Sequence, residues 1–155
     1  MRRLLVLSCL LLAACSQQSS TSPTPSLIGQ EVEFTKAVKH YYEVFNQVRA
    51  TNDWTLIESV SEKGGLDWSN VRAFALTQME QKKISITTHE VFSNWKFDIK
   101  GNVAKVYFSY QASGYDADPQ THQPLEAEVT LKPDPTVIEF RRSGDVWLVF
   151  SRQRQ

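Results

Sequence analysis

WKFDIKGNVAKVYFSY, residues 95–110, reads as two strands and the turn that joins them. Trp95, Phe97 and Ile99 alternate with Lys96, Asp98 and Lys100. Beyond Gly101-Asn102, Ala104, Val106, Phe108 and Tyr110 alternate with Lys105, Tyr107 and Ser109. A period of two gives each strand one apolar face, and a Gly-containing pair between two such runs marks a tight hairpin. An antiparallel sheet with one buried face follows.

Outward from that hairpin the pattern continues in one direction and changes in the other. Ile84 and Ile86 alternate with Ser85 and Thr87. Residues 112–124 read as a polar loop with Gly114, Pro119 and Pro124. Leu125, Ala127, Val129 and Leu131 then predict a strand over 125–132, and Ser143-Gly144-Asp145 joins Thr136–Arg142 to Val146–Ser151 in a last hairpin. Before Lys83 the period is 3.6. From Glu31 to Ala50, Phe34, Ala37, Val38, Tyr41, Tyr42, Phe45 and Val48 form one apolar helical stripe. Thr51-Asn52-Asp53 ends that helix and offers an N-cap for a second, Trp54–Ser61. Asp67 is placed to cap a third, from Trp68 to about Gln81. Helices first and an antiparallel sheet afterwards give an α+β fold.

The chain has 155 residues, 41% of them hydrophobic, which suits one domain with a real core. Seventeen basic residues balance seventeen acidic ones, which removes the usual electrostatic argument for nucleic-acid binding, and no nucleic-acid partner is expected. Two cysteines cannot build a Cys-rich metal site. The three histidines have no metal-ligand spacing, and no Gly-rich phosphate loop or nucleophile elbow occurs. No cofactor or metal is expected.

The first residues carry an address. Arg2 and Arg3 precede an uncharged, Leu-rich run, Leu4–Leu12, too short to span a bilayer. Leu12-Ala13-Ala14-Cys15 resembles the lipobox of bacterial lipoproteins, and the resemblance implies that residues 1–14 are a removed signal peptide and that Cys15 carries the lipid. Ser16 after the cysteine implies outer-membrane sorting, with the domain facing the periplasm. Residues 15–29 then hold the lipidated cysteine and a flexible Ser/Thr/Pro tether, and 30–155 form the single domain. Removal of 1–14 leaves 15 basic against 17 acidic residues, a net charge of −2.

Three stretches, VKHYYEVFNQVRATNDWTLIESV, IKGNVAKVYFSY and FRRSGDVWLVFS, resemble in order and spacing the NTF2-like (cystatin-like cone) superfamily, which includes ketosteroid isomerase and SnoaL-type cyclases. The resemblance implies a strongly curved sheet wrapped around the long helix, a pocket in the cone, and frequent dimerisation through the sheet. An enzyme of this fold would place an acid/base pair inside the cone. His89, sharing its parity with Val91, and Asp53, at the turn after the first helix, are the candidates for that pair. Asp53 also suits a helix cap and His89 a structural role. Tyr41, Tyr42, Trp95 and Tyr110 suit an aromatic core that fills a curved sheet and are also the candidates for an aromatic-lined ligand pocket. Arg141, Arg142, Arg152 and Arg154 form a locally basic C-terminus, read as a solvated strand face or a contact for anionic lipid or an acidic partner.

The expectation is a non-catalytic binding domain, tethered to the membrane through Cys15, that engages an envelope protein partner or a small apolar ligand and can form a homodimer. The alternatives are an isomerase or dehydratase, and an immunity or assembly factor.

Overall fold

Helix α1, Leu27–Thr51, is the axis on which the rest is built. The computed structural model describes residues 27–155, with side chains from Gly29 onward; residues 1–14, Cys15 and the tether as far as Ser26 lie outside the described residues. The helix takes in residues 27–29, assigned above to the tether, because nothing after Pro25 interrupts it. Phe34, Val38, Tyr41, Tyr42, Phe45 and Val48 are all buried along one stripe, as the three- and four-residue spacing requires. Asn52 ends the helix with a φ of 59°, and its Nδ2 donates to the Lys83 carbonyl at 2.9 Å.

The second helical segment is a 3₁₀ helix, Trp54–Ser59. It stops short of Ser61 because Ser61 bridges Val149 as an added parallel pair. Helix α2 spans Leu66–Glu80 with Gly65, not Asp67, at its N-cap. Asp67 is instead buried in the first turn, with its side chain directed to the core.

Strands β1 (Ile84–Lys100), β2 (Val103–Ala117), β3 (Val129–Thr130), β4 (Asp134–Ser143) and β5 (Val146–Arg154) form one antiparallel sheet in the order β1-β2-β4-β5, with β3 pairing the far end of β2. Both hairpins form as expected. Two expectations fail. Residues 112–117 continue β2 instead of opening a loop, because β1 is long enough to pair with all of them. The alternating run 125–132, exposed throughout, yields only the two-residue β3: it joins the ladder at Ser113 and Gly114 and otherwise meets β2 through single backbone bonds, from Leu131 N to the Ala112 carbonyl and from Leu125 N to the Asp116 carbonyl.

Residues directly opposite in an antiparallel pair share a face, and one extra residue in a strand exchanges its faces. Thr87 pairs Gly114 while His89 pairs Ser113, so Thr88 is an extra residue in β1. Ser93–Lys96 gains another relative to Ser109–Tyr107, beside Asn94 at φ 58°. In β5, Val149 pairs Phe140 and Ser151 pairs Glu139, leaving Phe150 as the extra residue. The inner row of the sheet therefore runs through Thr87 and Glu90 in β1, and through Val149, Arg152 and Arg154 in β5. Their partners Gly114, Ala112, Phe140, Ile138 and Thr136 form the inner row of β2 and β4.

Candidate functional site

Helices α1 and α2, the far half of β2, and the end of β5 surround a half-open cavity of about 440 Å³. Tyr42 and Phe45 of α1 and Phe74 of α2 give it one wall; Tyr110 and Ala112 of β2 give another. The rings pack on each other, with Tyr42 and Tyr110 centred 4.2 Å apart and Phe45 6.0 Å from Phe74. The segment after the β2 turn crosses the mouth, contributing Glu126, Val129 and Leu131. Gly114 also lines the cavity, and no other residue fits there: a Cβ would stand 2.2 Å from the Ile86 carbonyl oxygen.

Three arginines enter this largely aromatic space, Arg49, Arg152 and Arg154. The guanidinium of Arg152 lies 4.0 Å from the centre of the Phe45 ring and 3.5 Å from Asp67 Oδ1. That same oxygen accepts the Tyr41 hydroxyl at 2.8 Å, and Asp67 Oδ2 accepts the Ser61 hydroxyl at 2.7 Å. Burial works against the Arg152 charge, but Tyr41, Asp67 and Tyr42 outweigh it, and its pKa lies above the ordinary arginine value. Burial pushes the Tyr41 and Tyr42 hydroxyls up, so both stay protonated. Arg154 pairs with Asp134 at 3.3 Å near the surface.

Arg49 is held differently. Its Nη1 donates to Thr87 Oγ1 at 2.8 Å, and Thr87 donates onward to Asn46 Oδ1 at 3.0 Å. Burial lowers its pKa from the ordinary arginine value. The acids near it are engaged elsewhere. Glu90 accepts the Tyr110 hydroxyl at 2.6 Å; burial first, then this bond, raises the Tyr110 pKa. Asp116 takes Lys83 Nζ and the Ser85 hydroxyl, each at 2.6 Å, and although burial opposes its charge these contacts bring its pKa below the usual carboxylate range.

The structure divides the residues singled out from sequence. Tyr42 and Tyr110 line the cavity. Tyr41 is fully buried behind it, holding Asp67. Trp95 lies farther along the sheet, stacked 6.0 Å from Phe92 and 5.1 Å from Phe108. His89 and Asp53 are both exposed, and neither lines the aromatic cavity or the second cavity beside Phe34 and Trp147. Asp53 caps the 3₁₀ helix through the Thr55 amide at 3.1 Å. The Thr88 bulge turns His89 outward and sends Glu90 inward in its place. The C-terminal arginines are likewise not one solvated face: Arg141 lies against Phe150 at 3.2 Å while Arg152 points into the cone. Sequence reasoning missed Arg49 and Glu90 and gave Asp67 and Arg152 other roles, because the partners of all four stand in other elements. Among the described residues no group of three or more His, Cys, Asp or Glu side chains is placed to hold a metal ion.

No family model matches the sequence, and no curated protein sequence does. Solved structures do match the architecture. The intermembrane-space region of the chloroplast protein ARC6 superposes with a TM-score of 0.63 at 12% identity, covering 85% of this chain and 98% of that one. An NTF2-like superfamily protein from Salmonella enterica serovar Typhimurium gives 0.53 at 12% identity, covering 81% and 89%. Aln2 from a Streptomyces species gives 0.51 at 14% identity, covering 84% and 92%. At these identities the likeness concerns the fold alone. N-terminal helices packed on a curved antiparallel sheet, with such neighbours, make this an α+β chain with the NTF2-like cone fold.

Proposed function

We propose that the chain is a lipoprotein binding module, acylated at Cys15, whose cone takes a small apolar ligand at the envelope surface. The cavity carries this reading: about 440 Å³ walled by Tyr42, Phe45, Phe74 and Tyr110 is the size and lining of a small-molecule site. The lipid anchor rests on the Leu12-Ala13-Ala14-Cys15 resemblance and the short apolar run before it. Acyl chains contribute about 0.8 kcal/mol per buried CH₂, so two or more hold a domain of this size on a membrane. Placement at the outer membrane, facing the periplasm, follows from Ser16 and belongs to the same proposal.

Two measurements test it. Cells fed an alkyne fatty acid should label the wild-type chain and not Cys15→Ala; equal labelling of both overturns the anchor. The neutral probe 2-naphthamide should bind the wild-type chain, and Ala112→Phe, which fills the cavity, should abolish binding. Binding unaffected by that substitution overturns the ligand site.

A second reading, a protein partner seated over the cavity mouth, is favoured by Leu125, Val129 and Leu131, which are about half exposed in a row beside it. It predicts that Leu125→Ser, outside the cavity lining, releases an anchor-dependent partner from crosslinked envelope while leaving probe binding intact.

A further inference from the structure

Resting on the ligand-binding reading of the same cavity, we propose that its ligand is a monoanion, a carboxylate on a flat apolar body, and that Arg49 receives the carboxylate. Of the cavity's three guanidinium groups, two already have acidic partners, Arg152 in Asp67 and Arg154 in Asp134. Arg49 has none within ion-pair distance among the described residues; its one side-chain hydrogen bond goes to the neutral hydroxyl of Thr87. Asp116 is paired with Lys83 and Ser85, and Glu90 keeps its charge while accepting the Tyr110 hydroxyl; neither is within ion-pair distance of Arg49, though both act on it through space. Glu126 stands at the exposed rim.

A half-buried cation without a counterion is costly to maintain in an aromatic wall, and an incoming anion relieves that cost. The Thr87 bond fixes one arm of the guanidinium, and its planar fork can present two parallel donors to a carboxylate. Arg49 and Arg152 lie 5.9 and 4.0 Å from the centre of the same Phe45 ring, so the apolar body and the charged end of one small molecule have adjoining surfaces. A single guanidinium fork without a contacting acid matches one carboxylate, which favours a monoanion over a phosphate dianion.

The test is calorimetric titration of the full, lipidated chain in neutral maltoside micelles with 2-naphthoate and with 2-naphthamide, each corrected against protein-free micelles. The two share their ring system and differ in charge. The wild-type chain should bind the carboxylate roughly tenfold or more tightly than the amide, as hydrogen bonds to a charged group imply. Arg49→Gln should bring that ratio close to one, and Arg49→Lys should leave it in between. Equal affinity of the wild-type chain for both probes overturns the anion site and leaves the ligand cavity standing. Failure of both to bind at millimolar concentration overturns the cavity reading and this proposal with it. Should Arg49→Gln not fold by circular dichroism, the wild-type ratio alone decides.

Discussion

Tyr41 donates its hydroxyl to Oδ1 of Asp67 at 2.8 Å, and the two side chains are almost completely buried. Arg152 approaches the same oxygen at 3.5 Å, so a single carboxylate joins α1, α2 and β5. Removing one member of such a set leaves the others desolvated and unpaired. Asp67→Ala should therefore cost about 3 kcal/mol or slightly more, the lower part of the range for a broken buried pair, because the Arg152 side chain is still 21% exposed. Tyr41→Phe should cost less, about 1–3 kcal/mol, since Ser61 and Arg152 still satisfy Asp67. Urea unfolding of the two variants measures both, and equal losses would contradict the arrangement.

Gly114→Ala should be among the most damaging single-methyl changes in the chain. Its new Cβ would meet the Ile86 carbonyl oxygen at 2.2 Å, and backbone must move to admit it. Overpacking of this kind costs about 1–3 kcal/mol. Hydrogen exchange should show faster opening around Ile86 and Thr87 in the variant, with the closing β4–β5 hairpin unaffected.

Asp116 makes part of the stability pH-dependent. Its folded pKa is lowered, so the stabilisation is fully present above the ordinary aspartate value near 3.9 and is lost as pH falls through the folded value. Asp116→Asn should be about 1–2 kcal/mol less stable than wild type at pH 7, and the gap should close as the buffer is taken below about pH 3.9. Thermal melts at a series of pH values give both numbers. A gap that widens on acidification would reverse the assignment.

His89 and Asp53 separate when each is truncated. His89→Ala, at an exposed strand position, should change stability by no more than about 0.5 kcal/mol. Asp53→Ala removes the cap on the Thr55 amide and should cost about 1 kcal/mol. Neither should alter 2-naphthamide binding, measured by the same titration.

The parts of the fold legible in sequence are those where a local rule meets no exception. The α1 stripe from Phe34 to Val48 and the Gly101-Asn102 and Gly144 turns needed only spacing and turn chemistry. Residues 125–132 alternate as well as any strand, yet they remain mostly unpaired, since alternation describes a face and supplies no neighbour. Asp67 precedes a helical run as a cap would, and only the distant Tyr41 and Arg152 reveal its other role. The site was illegible for a related reason. Counting by twos from Thr87 leads to His89, and from Val149 to Ser151; one added residue in each strand delivers Glu90 and Arg152 to the interior instead. Tyr42 and Tyr110 were legible because each sits in an uninterrupted run.

The extra residue at Phe150 makes the cavity's chemistry a matter of counting. Were Phe150 paired as an ordinary strand residue, every residue type would be unchanged, yet Ser151 and Gln153 would face the cavity and Arg152 and Arg154 would turn toward solvent. The arginines reach the chamber through one irregular backbone pairing, and not through the order of amino acids alone. In chains of this architecture, the spacing between the closing tryptophan and the final arginines is as informative as the arginines themselves.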